Sequence, residues 1–480
     1  MRKILILGCL ALVFNAQANA ILKYNPPLFM YKKSLNKNNA EDVEAVLLGE
    51  NSKIEYYHDK TYFIIDAQEL HDTKMRISQY PNLTSIYIAS ASLSTNLIGE
   101  IGLIAPQLEN LSLCNVTIAN EKDTRALQRH LSSMQNIKTL TIVHVTEANG
   151  STARILDSAN ITQLTELNLD NRSISQDELN TIAKSIAQSN NLRKLRLDIR
   201  SNVDLSAIIQ ALSSNTCLDK LEIGVHNAST NKTTKDKAKS NPTADTNISQ
   251  MKQLLQAISL HTNLHNLALR YSGLEANTFI AAFEDICKNC PLIDLDLSGF
   301  NIDAISTIAV LRAIKNASQI RVLNLSGMKF DSDTNLEFRR LMQDNKTLER
   351  LLLNTCFPKT NNGENNECNT IFEALPWQTL KQLSICNNDL RNMNIDFAQY
   401  IGSQTMIIDA CNCWFTTESL QTSLYHLCET NKSVVVELRD AQLYNSTSSN
   451  TTSWSLTERI DFRDKITIKA RGKNTVILGL

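Results

Sequence analysis

From Leu292 the chain reads Leu-Ile-Asp-Leu-Asp-Leu-Ser-Gly-Phe-Asn-Ile, and 28 residues later Ile-Arg-Val-Leu-Asn-Leu-Ser-Gly-Met-Lys-Phe begins the same pattern at Ile320. Apolar residues at positions 1, 4, 6 and 11 of this unit (Leu292, Leu295, Leu297, Ile302) mark a short strand and its exit. After them Ile305, Ile308, Leu311 and Ile314 recur every three residues, a spacing that predicts one face of a helix. A strand followed by one amphipathic helix carries an apolar face that it cannot bury alone. Such a unit is stable only when copies stack side by side.

Taking the first apolar position as a marker, units begin at Leu83, Leu108, Ile137, Leu164, Leu192, Leu218, Leu264, Leu292, Ile320, Leu348 and Leu380, with weaker ones at Thr405 and Ser433. These span 81–445. The spacing L-x-x-L-x-L-x-x-N/C-x-L resembles the leucine-rich-repeat family, and its length resembles the ribonuclease-inhibitor-like subclass. That resemblance implies an α/β solenoid, a horseshoe with parallel strands on its concave face and helices on its convex face. It implies a binding module, although the architecture serves many unrelated roles. Position 9, the family's buried Asn or Cys, is Val116, Val145, Arg172, Arg200, His226, Phe300 and Met328 in seven units. A continuous side-chain ladder therefore cannot run the whole length, while Cys356, Asn388 and Cys413 keep the expected residue.

A chain of 480 residues with 48 basic and 49 acidic side chains has a formal net charge of −1 and no long run of one sign. Nothing in that balance points to nucleic acid or an anionic membrane. Met1-Arg2-Lys3, the apolar run Ile4 to Phe14, and Ala18-Asn19-Ala20 form the three parts of a secretory signal peptide over 1–20. The apolar run has 11 residues, short of the roughly 20 needed to span a bilayer. The mature protein is expected to be secreted, or periplasmic in a bacterium, with no stable membrane insertion. Residues 21–80, with Tyr56, Tyr57, Tyr62, Phe63, Ile64 and Ile65, read as an N-terminal cap, a strand pair or degenerate unit. Residues 446–480 read as a C-terminal cap with a hairpin of Ile466 to Ile468 and Val476 to Leu478.

The step from Leu218 to Leu264 is 46 residues and contains 227–247, which lacks any large apolar side chain. It reads as an exposed loop, either a tolerated insertion or a lysine-bearing contact patch. A second, smaller insertion covers Lys359 to Asn369. The helix of the Leu164 unit is the clearest. Ser175 and Glu178 form a capping-box signal, followed by the stripe Leu179, Ile182, Ala183 and Ile186.

Export would leave ten cysteines in a compartment that permits disulfides. Cys386 and Cys411 both occupy position 7 of adjacent units, and Cys356 and Cys368 bracket the smaller insertion. Each pair could be a disulfide or two free thiols. Cys287-Lys-Asn-Cys290 has no second ligand pair, His261 and His265 are separated by a turn, and the common nucleotide, serine-hydrolase and metalloprotease motifs are absent. No cofactor or metal is expected, and no enzyme. Sequons such as Asn82, Asn149, Asn231, Asn316 and Asn445 would matter only in a eukaryotic source.

Positions 3, 5 and 7 of each strand face away from the core, and their mixed charges read either as a solubility face alone or as a surface on which a protein partner docks. The candidate residues are Glu166, Asn168, Asp170, Lys194, Arg196, Asp198, Lys220, Glu222, Asn266, Arg270, Asp294, Asp296, Arg350 and Asn354, with apolar Leu352 and Ile407 among them. Charge reversal at Arg196 or Asp296 is expected to weaken binding without unfolding. Two other classes remain: an exported thiol-dependent enzyme using Cys411 or Cys287, and a glycan-binding adhesin using Tyr87 and Tyr271.

Overall fold

The computed structural model describes residues 45–49, 62–66, 83–89, 92–147, 161–170, 175–200, 203–226, 242–271, 276–298, 300, 302–357, 367–391, 396–397, 406–416, 419–420, 422–424, 426, 434–438, 442–444, 454–455 and 475–477. The expected signal sequence 1–20, most of both expected caps and residues 227–241 of the large insertion lie outside that set. The chain divides into two compact units, Met1–Arg196 and Leu197–Leu480.

In the first unit the strands Ala45–Gly49, Ser85–Ala89, Asn110–Cys114, Thr139–Val143 and Glu166–Asp170 pair in parallel, with Tyr62–Asp66 added beside Ala45–Gly49. In the second, Lys220–His226, Asn266–Tyr271, Asp294–Asp296, Val322–Asn324, Arg350–Leu352, Gln382–Ser384, Met406–Asp409 and Val434–Glu437 do the same. Thr475–Ile477 pairs in parallel with Val434–Glu437; the other half of the expected hairpin, 466–468, lies outside the described residues. Register is one to one at every step, so position 3 of one repeat meets position 3 of the next. Positions 1, 4 and 6 are core throughout: Leu164, Leu167 and Leu169, then Leu292, Leu295 and Leu297, are each at most 2% exposed. Each leucine so buried contributes roughly 2 kcal/mol before conformational entropy is subtracted. This is a leucine-rich-repeat solenoid of the α/β class.

Helices follow the strands at Thr95–Ile104, Glu121–Ser133 and Gln176–Gln188 in the first unit. In the second they are Ser206–Ser214, Pro242–Ile258, Ala276–Asn289, Ala304–Ile314, Ser332–Asp344 and Glu367–Ala374. Most start where a small polar side chain caps the first turn: Ser94, Asn120, Ser175, Asp303 and Asp331 each accept from a backbone N–H three residues on. The Ser175–Glu178 capping box forms in both directions, and Leu179, Ile182, Ala183 and Ile186 are buried as expected.

Two expectations need correction. The insertion does not extend to 247 as loop, because the helix begins at Pro242, whose fixed φ and missing N–H suit a first helical position. In Ala304–Ile314 the core face is Thr307, Val310, Leu311 and Ile314, while Ile305 is 72% exposed and Ile308 half-buried. Three residues advance a helix by about 300°, so a strict spacing of three falls back about 60° per step and cannot hold one face.

In six units the turn leaving the strand shares one shape. Position 8 adopts the left-handed region in Asn115, His144, Gly327, Thr355, Asn387 and Asn412, with φ between 49° and 85°. Glycine and asparagine tolerate that region; a β-branched threonine does not. One residue further on, Cys356, Asn388 and Cys413 each donate to the position-6 carbonyl of the preceding repeat: Leu325 at 3.2 Å, Leu353 at 2.8 Å and Ile385 at 2.9 Å. Asn388 also donates to Ile385 O and accepts from Phe357 N, satisfying a fully buried amide.

Two outcomes follow from these positions. Thr355→Gly should raise stability by about 1 kcal/mol, as relief of the left-handed strain outweighs glycine's entropy cost, measured by urea unfolding. His261 is 1% exposed, and burial, partly offset by the Leu212 backbone, holds its imidazole below the ordinary value of 6.5. Its neutral form is therefore favoured in the fold, and below about pH 6.5 the unfolded chain binds the extra proton. Unfolding free energy should fall between pH 7.5 and pH 5.5, at up to about 1.4 kcal/mol per pH unit from this group, with a shallower slope in His261→Leu.

Candidate functional site

Strand geometry sends positions 3, 5 and 7 to the face of the sheet opposite the buried leucines, and parallel register aligns them in rows. In the second unit the position-3 row runs Lys220, Asn266, Asp294, Val322, Arg350, Gln382, Ile407. The position-5 row runs Glu222, Ala268, Asp296, Asn324, Leu352, Ser384, Asp409. In the first unit Asn110, Thr139 and Glu166 share one row and Ser112, Thr141 and Asn168 the next.

The rows differ in exposure. Lys194, Arg350 and Ile407 are exposed, and Glu166, Asn168, Lys220, Glu222, Asn266, Asp294 and Asn354 are half-buried. Arg196, Asp198, Arg270 and Asp296 are buried, at 8%, 2%, 8% and 3% exposure. The sequence expectation of a uniformly open charged face fails here, because side chains on strands about 4.8 Å apart cover the middle of the face between them. The Asp170 side chain lies outside the described residues.

Several candidates are brought together as pairs. Lys194 Nζ lies 3.2 Å from Glu166 and Lys220 Nζ 2.8 Å from Glu222. The Arg270 guanidinium sits between two carboxylates, 3.8 Å from Glu222 and 3.8 Å from Asp296, and all three are largely shielded from water. Arg350 Nε donates to Gln382 at 2.9 Å. Asn354 Oδ1 accepts from Cys386 N at 2.7 Å and from the Ser384 hydroxyl at 2.9 Å.

A further row escaped the sequence reading. Position 2, at the entrance to each strand, pairs Glu109 with Lys138 at 2.7 Å, Asp219 with His265 at 2.7 Å, and Glu349 with both Lys381 at 2.8 Å and Arg321 at 3.8 Å. Opposite charges one repeat apart were the available signal. These pairs are exposed and contribute little to stability.

The cysteines fall into two groups. Cys287 and Cys290 are buried free thiols; burial pushes Cys287 far above the usual thiol range and Cys290 up to about 11. That is the opposite of what a thiolate nucleophile needs. Cys356 is a free, fully buried thiol in the position-9 seam, and the Cys368 side chain lies outside the described residues. Cys386 and Cys411 are free thiols, and the Cys386 thiol is held far above its ordinary value, first by its hydrogen bond with Cys411, then by burial and by the Asp409 carboxylate. Of the two tyrosines considered for glycan binding, Tyr87 is half-buried and the Tyr271 side chain is outside the described residues. Among the described residues no helix is long and apolar enough to cross a membrane.

No family model matches the chain, and no curated protein matches it. Among solved structures it is similar to an internalin of Listeria monocytogenes, at 15% identity over 65% of this chain and 76% of that one, with a TM-score of 0.35. It is also similar to a leucine-rich-repeat protein of Leptospira interrogans, at 15% identity over 84% of this chain and 91% of that one, with a TM-score of 0.34. The solenoid rests on this chain's own register and core.

Removing the charge between two shielded carboxylates should be costly: Arg270→Ala is expected to destabilise the protein by about 3 kcal/mol, read from the midpoint of denaturant unfolding.

Proposed function

We propose that this is an exported leucine-rich-repeat protein of the ribonuclease-inhibitor-like subclass that docks a protein partner on the open face of its strands. The observation that carries the reading is a register-aligned patch in the later repeats: exposed Arg350 beside half-buried Leu352, with exposed Ile407 opposite Gln382 in the next strand. Ile407, at 38% exposure, is an exposed large apolar side chain on a face whose exposed members are otherwise charged, Lys194 and Arg350 among the candidates. An apolar anchor beside an arginine with a polar surround is the composition that binding hot spots favour. The helix that follows each strand from Glu166–Asp170 to Arg350–Leu352 supports the subclass, and the N-terminal Met1-to-Ala20 pattern supports export. A binding module is favoured over a thiol enzyme because Cys287 is sequestered from water.

Burial decides which substitutions test this. Charge reversal at Arg196 or Asp296 would disturb folding and docking together, since both are buried. Arg350→Glu combined with Ile407→Asp changes exposed groups only. With the chain from Ile21 onward as bait on the native extracellular fraction, the unaltered protein should retain a partner and the double variant should bind it at least about tenfold more weakly, with unchanged melting temperature. Equal retention by the double variant would rule out this face.

A further inference from the structure

The strands Gln382–Ser384 and Met406–Asp409 pair with Ser384 opposite Asp409, and the ladder continues past them through Ile385 N to Asp409 O at 2.7 Å and Asn387 N to Cys411 O at 2.9 Å. Cys386 therefore stands opposite Cys411, with Asp409 on the same face two residues earlier. The donor atoms of Cys386, Asp409 and Cys411 all lie within 4.8 Å of one another, and Cys386 Sγ is 2.9 Å from Asp409 Oδ1. A tetrahedral zinc ion with bonds of about 2.3 Å to sulfur and about 2.0 Å to oxygen sets its donors roughly 3.5 to 3.8 Å apart. Small side-chain rotations convert one arrangement to the other.

The surroundings are built to hold that set. Asp409, 9% exposed, has the Ser384 hydroxyl at 3.2 Å from its second oxygen, and that hydroxyl also reaches Asn354, which in turn fixes the Cys386 backbone N–H. Groups that orient a ligand in this way support metal affinity. Among the described residues no basic side chain forms an ion pair with Asp409, whose oxygens take hydrogen bonds from the Ser384 hydroxyl, the Cys386 thiol and Cys411 N. A disulfide between Cys386 and Cys411 would use the two sulfurs and leave that carboxylate as it is; a dication uses all three donors.

We propose that Cys386, Asp409 and Cys411 bind one zinc-class dication, with the fourth position taken by water. Two thiolates select a soft ion over calcium or magnesium. Binding forms two metal–sulfur bonds and one metal–oxygen bond, and the two thiol protons pass to solvent. The site lies on the open face but does not depend on what docks there.

The test is titration of cobalt(II) alone into the reduced, metal-free full chain. One ion should bind, with thiolate-to-cobalt charge-transfer absorption and release of two protons to an indicator dye. Cys386→Ser and Cys411→Ser should each abolish the absorption, Asp409→Asn should weaken binding by at least about tenfold, and Cys290→Ser, which alters the other cysteine pair, should leave the spectrum intact. One measurement needs no substitution: stoichiometric zinc should slow alkylation of Cys386 and Cys411 in the unaltered protein. A cobalt spectrum that survives both serine variants, zinc that gives no protection, or a 386–411 disulfide in the protein as isolated would each overturn the proposal.

Discussion

A single repeat of this chain has leucines on one side of a three- to seven-residue strand and an apolar stripe on one side of a short helix, and neither surface closes on itself. The stacking of one repeat on the next removes both from water, and the rest of the structure depends on that contact. Within each unit the described strands of the repeats pair with strands of neighbouring repeats, and helices pack on helices of neighbouring repeats. Because each interface repeats the last, stability accrues as a sum of similar neighbour terms rather than from one central core. Variation is accordingly tolerated where it does not touch the interface, which is why a 46-residue step can separate Leu218 from Leu264 while Lys220–His226 and Asn266–Tyr271 still pair residue for residue.

The markers at positions 1, 4 and 6 were legible in the sequence because leucine at a fixed period has one physical use, and each of those positions that is described is buried. The capping box at Ser175 was equally plain, since both partners are local. Helix faces were harder: Ile305 looks like core only if a spacing of three is taken for a spacing of 3.6, and the hydroxyls of Ser306 and Thr307 hide how deeply those residues sit. The rows of the open face were read correctly as rows, but not their depth. Whether Arg270 is a surface charge or a buried bridge depends on Glu222 and Asp296, 48 residues before it and 26 after, and no local pattern reports that distance. That Cys386 stands beside Cys411 followed from register, whereas the 2.9 Å approach of the Asp409 carboxylate to Cys386 Sγ depends on side-chain placement that no sequence spacing reports.

The open face thus has two layers of meaning. In the second unit its middle holds half-hidden charges, with Arg270 bridging Glu222 and Asp296 of the strands on either side, where desolvation and attraction nearly cancel and the removal of one member is expensive. The exposed groups of the second unit's face, Arg350 and Ile407, are what another molecule would meet first there. A partner that reached the middle would have to break ion pairs to do so, which separates the residues that give the face its stiffness from those free to give it selectivity.

The seam made by Cys356, Asn388 and Cys413 has a direction. In each of its three links to a position-6 carbonyl the donor belongs to the later repeat and the acceptor to the earlier one. Shortening such an array from its far end uncovers carbonyls that water can serve, whereas shortening it from the near end strands amide and thiol hydrogens inside apolar surroundings. In evolution, this stretch should therefore lose modules more readily from its tail than from its head, and new ones should be added there too.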